Sequence, residues 1–134
     1  MATIWWEEPV AVPAEKAWAA LRRVDEAHEL FAPVLVGGKM EDGIRTVTFS
    51  NGLVARERII TVDEPRRRVA YSVLGDMFEY HSASMQIVPV DKANCRFLWI
   101  SDFLPDERAG TVQPLVEQGA RALARNIEGG NALS

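Results

Sequence analysis

"DGIRTVTFSNGLVARERIITV", residues 42–62, decides the architecture, because its two halves alternate with a period of two around the turn signal Ser50-Asn51-Gly52. Successive side chains of a strand point to opposite faces. Arg56 and Arg58 therefore share one face, and Glu57 shares the other with Ala55 and Ile59. An acid among apolar side chains has three readings: a wrong parity, half of a buried ion pair, or a polar anchor in a binding cavity.

Turn chemistry arbitrates between them. If Asn51-Gly52 alone closed the hairpin, Ser50 would pair with Leu53 and Glu57 would face Thr46. If the loop is Ser50-Asn51-Gly52, Phe49 pairs with Leu53, Val47 with Ala55 and Arg45 with Glu57. A three-residue loop ending in a left-handed glycine is a common hairpin closure. It also sorts the faces better, with Arg45, Val47, Phe49, Leu53, Ala55, Glu57 and Ile59 on one side. Thr46, Thr48, Arg56 and Arg58 take the solvated side. This register leaves Ile60 and Val62 outward, so it demands a bulge or a partner surface there. Glu57 is expected to point inward opposite Arg45, partly wet or well hydrogen-bonded, because dry burial of ions is costly.

Outward from this hairpin, residues 34–103 keep the period of two between turn signals at 41–43, 50–52, 63–65, 75–76 and 90–92, which makes six strands in a meander. Residues 3–12 read as a first strand, with Pro9 suggesting an edge or bulge. Residues 13–24 place Ala14, Ala17, Trp18 and Leu21 at helical spacing after Pro13, and a short helix over 25–31 stops before Pro33. Residues 111–128 return to helical spacing. There Val112, Leu115, Val116, Gly119, Ala120, Leu123 and Ile127 form one apolar face, and Glu117, Arg121 and Arg125 lie opposite. Thr111 as N-cap would make Pro114 tolerable, and Gly129-Gly130 would end the helix. The expected fold is α+β, one domain over residues 1–134. A seven-stranded antiparallel curved sheet wraps a long C-terminal helix, with two short helices after the first strand and a cavity between helix and sheet.

The chain is 134 residues long, 48% apolar and 25% charged, enough for a core without staples. A net charge of −4 argues against nucleic acid or an anionic membrane as partner. A single cysteine, Cys95, forms no internal disulfide, which suits a reducing cytoplasm. MATIWWEEPV lacks the pattern of a signal peptide, and no run approaches the roughly 18 apolar residues that span a bilayer. A cytoplasmic monomer or homodimer without membrane insertion is expected. His28, His81 and Cys95 make no recognisable zinc site, and no Ser-His-Asp spacing or nucleotide fingerprint is present, so neither metal nor cofactor is expected.

VAVPAEKAWAAL, DGIRTV, ARERIITVDEPRRRVAYSV and CRFLWISDFLPD, together with the element order, resemble the START-like (SRPBCC) superfamily. The nearest branch is that of the polyketide cyclase/dehydrase and lipid transport proteins, relatives of the birch-pollen allergen fold and the plant abscisic-acid receptors. The resemblance implies a helix-grip fold whose cavity binds apolar or amphipathic small molecules, in members that include enzymes, carriers and receptors. It also implies an arginine and a glutamate in the cavity wall, and puts Phe31, Pro33 and Gly37-Gly38 at the pocket mouth.

Parity supplies the remaining candidates. Val69, Tyr71 and Val73 share a face, bringing Tyr71 inward near Glu57. Met85, Ile87 and Pro89 carry His81 inward with Ala83, unless a bulge substitutes Tyr80. Phe97, Trp99, Ser101 and Phe103 face one way, putting Trp99 near Met85. The blander readings are an ion pair for Arg45–Glu57, ordinary packing for Tyr71 and Trp99, and a satisfied polar wall for His81. The binding reading makes Arg45, Glu57, Tyr71 and His81 polar anchors. Phe31, Phe49, Met85, Trp99, Leu115 and Val116 form the apolar wall, and Gly119 is either close packing or room for a ligand. The expected function is to hold a small hydrophobic or amphipathic molecule, lipid-, polyketide- or hormone-like, as carrier or sensor. An aromatase/cyclase- or dehydratase-like enzyme, with Glu57 or His81 moving a proton, is the alternative. A protein-interaction module docking through Ile60, Val62, Leu98 and Ile100 is a third.

Overall fold

The computed structural model of the chain describes residues 2–129. Strand β1 (Ala2–Val10) leads to α1 (Ala14–Leu21), a single 3-10 turn (Val24–Glu26) and α2 (Ala27–Leu30). Six strands follow: β2 (Leu35–Glu41), β3 (Ile44–Phe49), β4 (Val54–Asp63), β5 (Arg68–Leu74), β6 (Tyr80–Pro89) and β7 (Cys95–Leu104). A 3-10 turn (Asp106–Arg108) runs into α3 (Ala109–Gly129). The seven strands form one antiparallel sheet in the order β1-β7-β6-β5-β4-β3-β2, the helix-grip arrangement.

The turn chemistry of the opening hairpin is as the three-residue loop requires. Gly52 sits at φ +93°, its amide donates to the Phe49 carbonyl at 2.9 Å, and the Phe49 amide donates to Leu53 O at 2.8 Å. Arg45 pairs with Glu57 and Val47 with Ala55. The outward Ile60–Val62 problem is solved by a bulge: Ile59 pairs with Tyr71, Ile60 is skipped, and Thr61 pairs with Ala70. One extra residue reverses the facing of everything after it. Ile60 is left exposed, but Val62 turns back to pack on the core opposite Val69. The expected docking patch therefore loses Val62, and Leu98 and Ile100 are half-buried rather than open.

The boundaries of all three helical elements differ from expectation. The first helix ends at Leu21, and the second element is a 3-10 turn followed by four α-helical residues, so the segment 25–31 is only partly α-helical. The long helix begins at Ala109, two residues before Thr111, because the turn at Asp106–Arg108 already winds the chain. Pro114 thus lies inside the helix and not in its first turn. Its missing N–H leaves the carbonyl of Gly110, four residues back, without its ladder bond, and Gly110 is exposed to water. Of the two glycines expected to stop α3, Gly129 is its last described residue and Gly130 lies outside the described residues.

The α3 face formed by Val116, Ala120, Leu123 and Ile127 is buried in the concavity of the sheet, where Phe97 and Phe103 are fully covered. Fully burying side chains of this size stabilises by about 1.5–3 kcal/mol each. A polar clamp flanks this buried face of α3. The Asn126 amide donates to the carbonyls of Leu30 at 2.8 Å and Ala32 at 2.9 Å, capping the short α2 and orienting Phe31 beside it. Asn126→Ala is expected to lower stability by about 1–3 kcal/mol, read as a reduced urea midpoint. Asn126→Asp should cost more, since a carboxylate would face two acceptors; a variant as stable as Asn126→Ala would contradict the clamp.

Candidate functional site

Between α3 and the sheet lies a cavity with about 90 Å³ of room for the centres of water-sized spheres. One water needs about 10–15 Å³ by that measure, so the space is several waters or a compact organic molecule in size. All eleven residues expected from the sequence line it: Arg45, Phe49 and Glu57 from the opening hairpin, Tyr71, His81, Met85 and Trp99 from the next strands, Phe31 beside α2, and Leu115, Val116 and Gly119 from α3. Pro33, Gly37 and Gly38, expected at the mouth, do not reach the cavity lining. Gly38 instead lies under His28, whose Nδ1 is 2.9 Å from where a Cβ would stand.

The charged pair is compact. Arg45 Nε and NH2 both reach Glu57 Oε1 at 2.8 Å, and NH1 donates to the Val24 carbonyl at 3.2 Å. Both side chains are buried, and the guanidinium carbon lies 5.5 Å from the centroid of the Tyr71 ring. Glu57 Oε2 accepts no hydrogen bond from the described residues. Burial pushes the Glu57 carboxyl above the usual carboxylate range, with the Arg45 guanidinium pulling against the shift.

Tyr71 is buried, and its hydroxyl oxygen accepts the Trp99 indole N–H at 3.1 Å. Burial, reinforced by the Glu57 charge, drives its pKa upward, so it stays a neutral phenol whose O–H is left to donate. His81 is buried while Tyr80 is exposed, so no bulge exchanges them. The imidazole does something parity alone does not indicate. The β5–β6 ladder runs only as far as Tyr71 opposite Ala83. Beyond it the Val73 amide donates to His81 Nδ1 at 3.0 Å, and the Ser72 hydroxyl to the His81 carbonyl at 2.6 Å. A side chain thus takes the place of a ladder carbonyl. With Nδ1 accepting, the neutral ring carries its proton on Nε2, which lies 3.4 Å from Ser101 Oγ. Burial lowers the His81 pKa to about 4, opposed by the charge of Asp102. At neutral pH His81 is a donor rather than a base.

Gly119 is a packing feature. A Cβ there would stand 3.1 Å from the Trp99 ring and 3.6 Å from Phe31, so the two rings occupy the gap. Parity missed Met77 and Phe78, which come from the β5–β6 connection and close the cavity end. The Phe78 ring centroid is 4.9 Å from that of His81 and 5.3 Å from that of Phe103. A connection has no period, so the only available signal was an aromatic residue beside a turn.

A curved antiparallel sheet gripping one long helix around an apolar cavity with a few convergent polar groups defines a helix-grip cavity protein. Residues 1–131 match the family described as "Polyketide cyclase / dehydrase and lipid transport", and the chain belongs to that family. Among solved structures it is similar to the Bacillus cereus protein XoxI, with a TM-score of 0.85, 17% identity, and 95% of this chain and 96% of that one covered. It is also similar to a point mutant of Thalictrum flavum norcoclaurine synthase in complex with a transition-state analogue, with a TM-score of 0.75, 21% identity, and 98% and 96% coverage. A Thermobifida fusca protein gives a TM-score of 0.67 and 26% identity, with 96% and 91% coverage. No curated protein matches in sequence.

The His81 geometry generates a pH test. A group whose pKa is depressed on folding contributes stability that is complete above its unfolded pKa and lost as pH falls through the folded one. For His81 that window runs from the ordinary 6.5 down to about 4. Relative to His81→Gln, which keeps an acceptor for Val73 but does not titrate, the wild-type protein should lose about 1–2 kcal/mol across it, allowing for partial solvent access. Glu57 is common to both proteins and cancels. Urea midpoints at a series of pH values measure the difference, and a flat difference would mean that His81 titrates as freely folded as unfolded.

Proposed function

We propose that the protein binds a small hydrophobic or amphipathic molecule inside this cavity and acts as its carrier or sensor. The observation that carries the reading is the composition of the wall: aliphatic and aromatic side chains surround one charged pair and three neutral donors, Tyr71, His81 and Ser101. A lining of that kind orients a ligand by few hydrogen bonds and holds it by apolar contact. The limited volume favours a compact ring-containing ligand over an extended lipid chain. Cytoplasmic residence belongs to the same proposal, supported by one free, buried cysteine.

The enzyme reading keeps one specific support. Glu57 has an uncommitted oxygen and a raised pKa, and Tyr71 offers a neutral O–H from the neighbouring strand, two residues along from Val73 opposite Glu57, the minimum for moving a proton beside a carbonyl. His81, neutral and bonded at Nδ1, adds a donor to that set and no base.

Prodan, a neutral naphthyl ketone, should bind with a change in tryptophan emission, because Trp99 lines the cavity. Leu115→Trp fills the space and should weaken binding by about tenfold or more, the order of one lost side-chain-sized contact. Unchanged affinity in a folded Leu115→Trp protein would place binding elsewhere.

Glu57→Gln separates carrier from enzyme. If Glu57 is an anchor, the change alters affinity or stability, by up to about 3–5 kcal/mol for a dry pair and less where water reaches it. If Glu57 is a general base, binding persists and turnover of a cyclisable polyketone slows by about 10²–10⁴-fold. Turnover by the wild-type protein that vanishes in this variant, with affinity intact, would overturn the carrier reading.

A further inference from the structure

The charge distribution of the wall narrows the class of ligand. Arg45 is the only Lys or Arg among the described residues that line the cavity. Each of its three nitrogens is engaged, two on Glu57 Oε1 and one on the Val24 carbonyl, and the Tyr71 ring lies against the guanidinium. The Glu57 carboxylate therefore offsets the charge of the guanidinium within the wall, and the pair brings no net positive charge to a ligand, although Arg45 keeps N–H groups beyond these contacts. What the pair leaves open is Glu57 Oε2, an acceptor carrying negative charge. The neutral groups able to donate include the Tyr71 O–H, the Ser101 O–H and the His81 Nε2–H, the last held by Ser101 only at 3.4 Å, a long contact.

Strand geometry sets their arrangement. Glu57 is opposite Val73 on β5, and the Val73 amide reaches His81 on β6, so acceptor and donor flank Val73 on either side. Tyr71 stands two residues along the same strand and on the same face, with its ring centroid 5.8 Å from that of His81.

We propose that the cavity selects neutral molecules, taking a compact carbonyl compound that also bears a hydroxyl and rejecting a carboxylate of the same shape. The inference rests on the binding reading above and adds its charge rule. The ligand hydroxyl donates to Glu57 Oε2, and its carbonyl oxygen accepts from Tyr71 or His81. A carboxylate entering the same space would lose its hydration beside a wall carboxylate, with no uncancelled cation to replace the water.

Three rings of matched size test this by calorimetry at pH 7: 4-(hydroxymethyl)acetophenone, its anionic counterpart 4-(hydroxymethyl)benzoate, and 4-ethylacetophenone, which lacks the hydroxyl. The neutral hydroxy ketone should bind about tenfold or more tighter than the benzoate, and at least as tightly as the more apolar ethyl compound. Glu57→Gln uncovers the charge of Arg45 and should reverse the first preference, so that the benzoate binds more tightly than the ketone. A wild-type protein that binds the benzoate as well as the ketone overturns the proposal. That comparison needs no variant, so it stands if Glu57→Gln fails to fold. An ethyl compound bound about tenfold tighter than the hydroxy ketone overturns the hydroxyl assignment. If Prodan binds and the benzoate wins, only the charge rule falls. If neither Prodan nor any of the three rings binds, the binding reading falls with it.

Discussion

A guanidinium and a carboxylate share one buried crossing between β3 and β4, and much of the site is arranged around them. Removing two ions from water costs several kcal/mol each, and the interior repays this only with good geometry and further hydrogen bonds. Here Arg45 meets one Glu57 oxygen through two nitrogens, and its third nitrogen holds the Val24 carbonyl. The pair thereby ties the 3-10 turn before α2 to the β3–β4 hairpin, and the Tyr71 ring of β5 lies against it. The polar contacts of the carboxylate with the described residues all fall on that one oxygen, Oε1, and Glu57 is part of the cavity lining.

Two departures from a regular ladder give the sheet the shape this site needs. The bulge at Ile60 adds a residue to β4 and strengthens its bend, so that Ile59 and Val62 both face the core although they are three apart. On the other flank the β5–β6 ladder stops at Tyr71–Ala83, and the His81 ring accepts the next amide. The connection that follows carries Met77 and Phe78 into the cavity lining. The single available N–H of His81 follows from this structural use of the ring, and its low pKa from the burial of the imidazole.

What residues 42–62 and the other strands determined by themselves was local: alternation, turn type and the pairing of Arg45 with Glu57. A left-handed glycine after two loop residues leaves few registers, and a shift by one residue would have exposed the whole apolar set. The same period brought Tyr71, His81, Met85 and Trp99 to the cavity side, and helical spacing did so for Leu115 and Val116. The tertiary structure alone decided the facing of Val62, the tautomer of His81, the closure by Phe78 and the filling of Gly119 by Trp99 and Phe31. It also decided that Asn126 on α3 holds α2, an element some 96 residues earlier. Each of these is a contact between elements distant in the chain, or a break in a period. Such features leave no repeating pattern in one sequence, because they depend on where a second element lies once the sheet has curved.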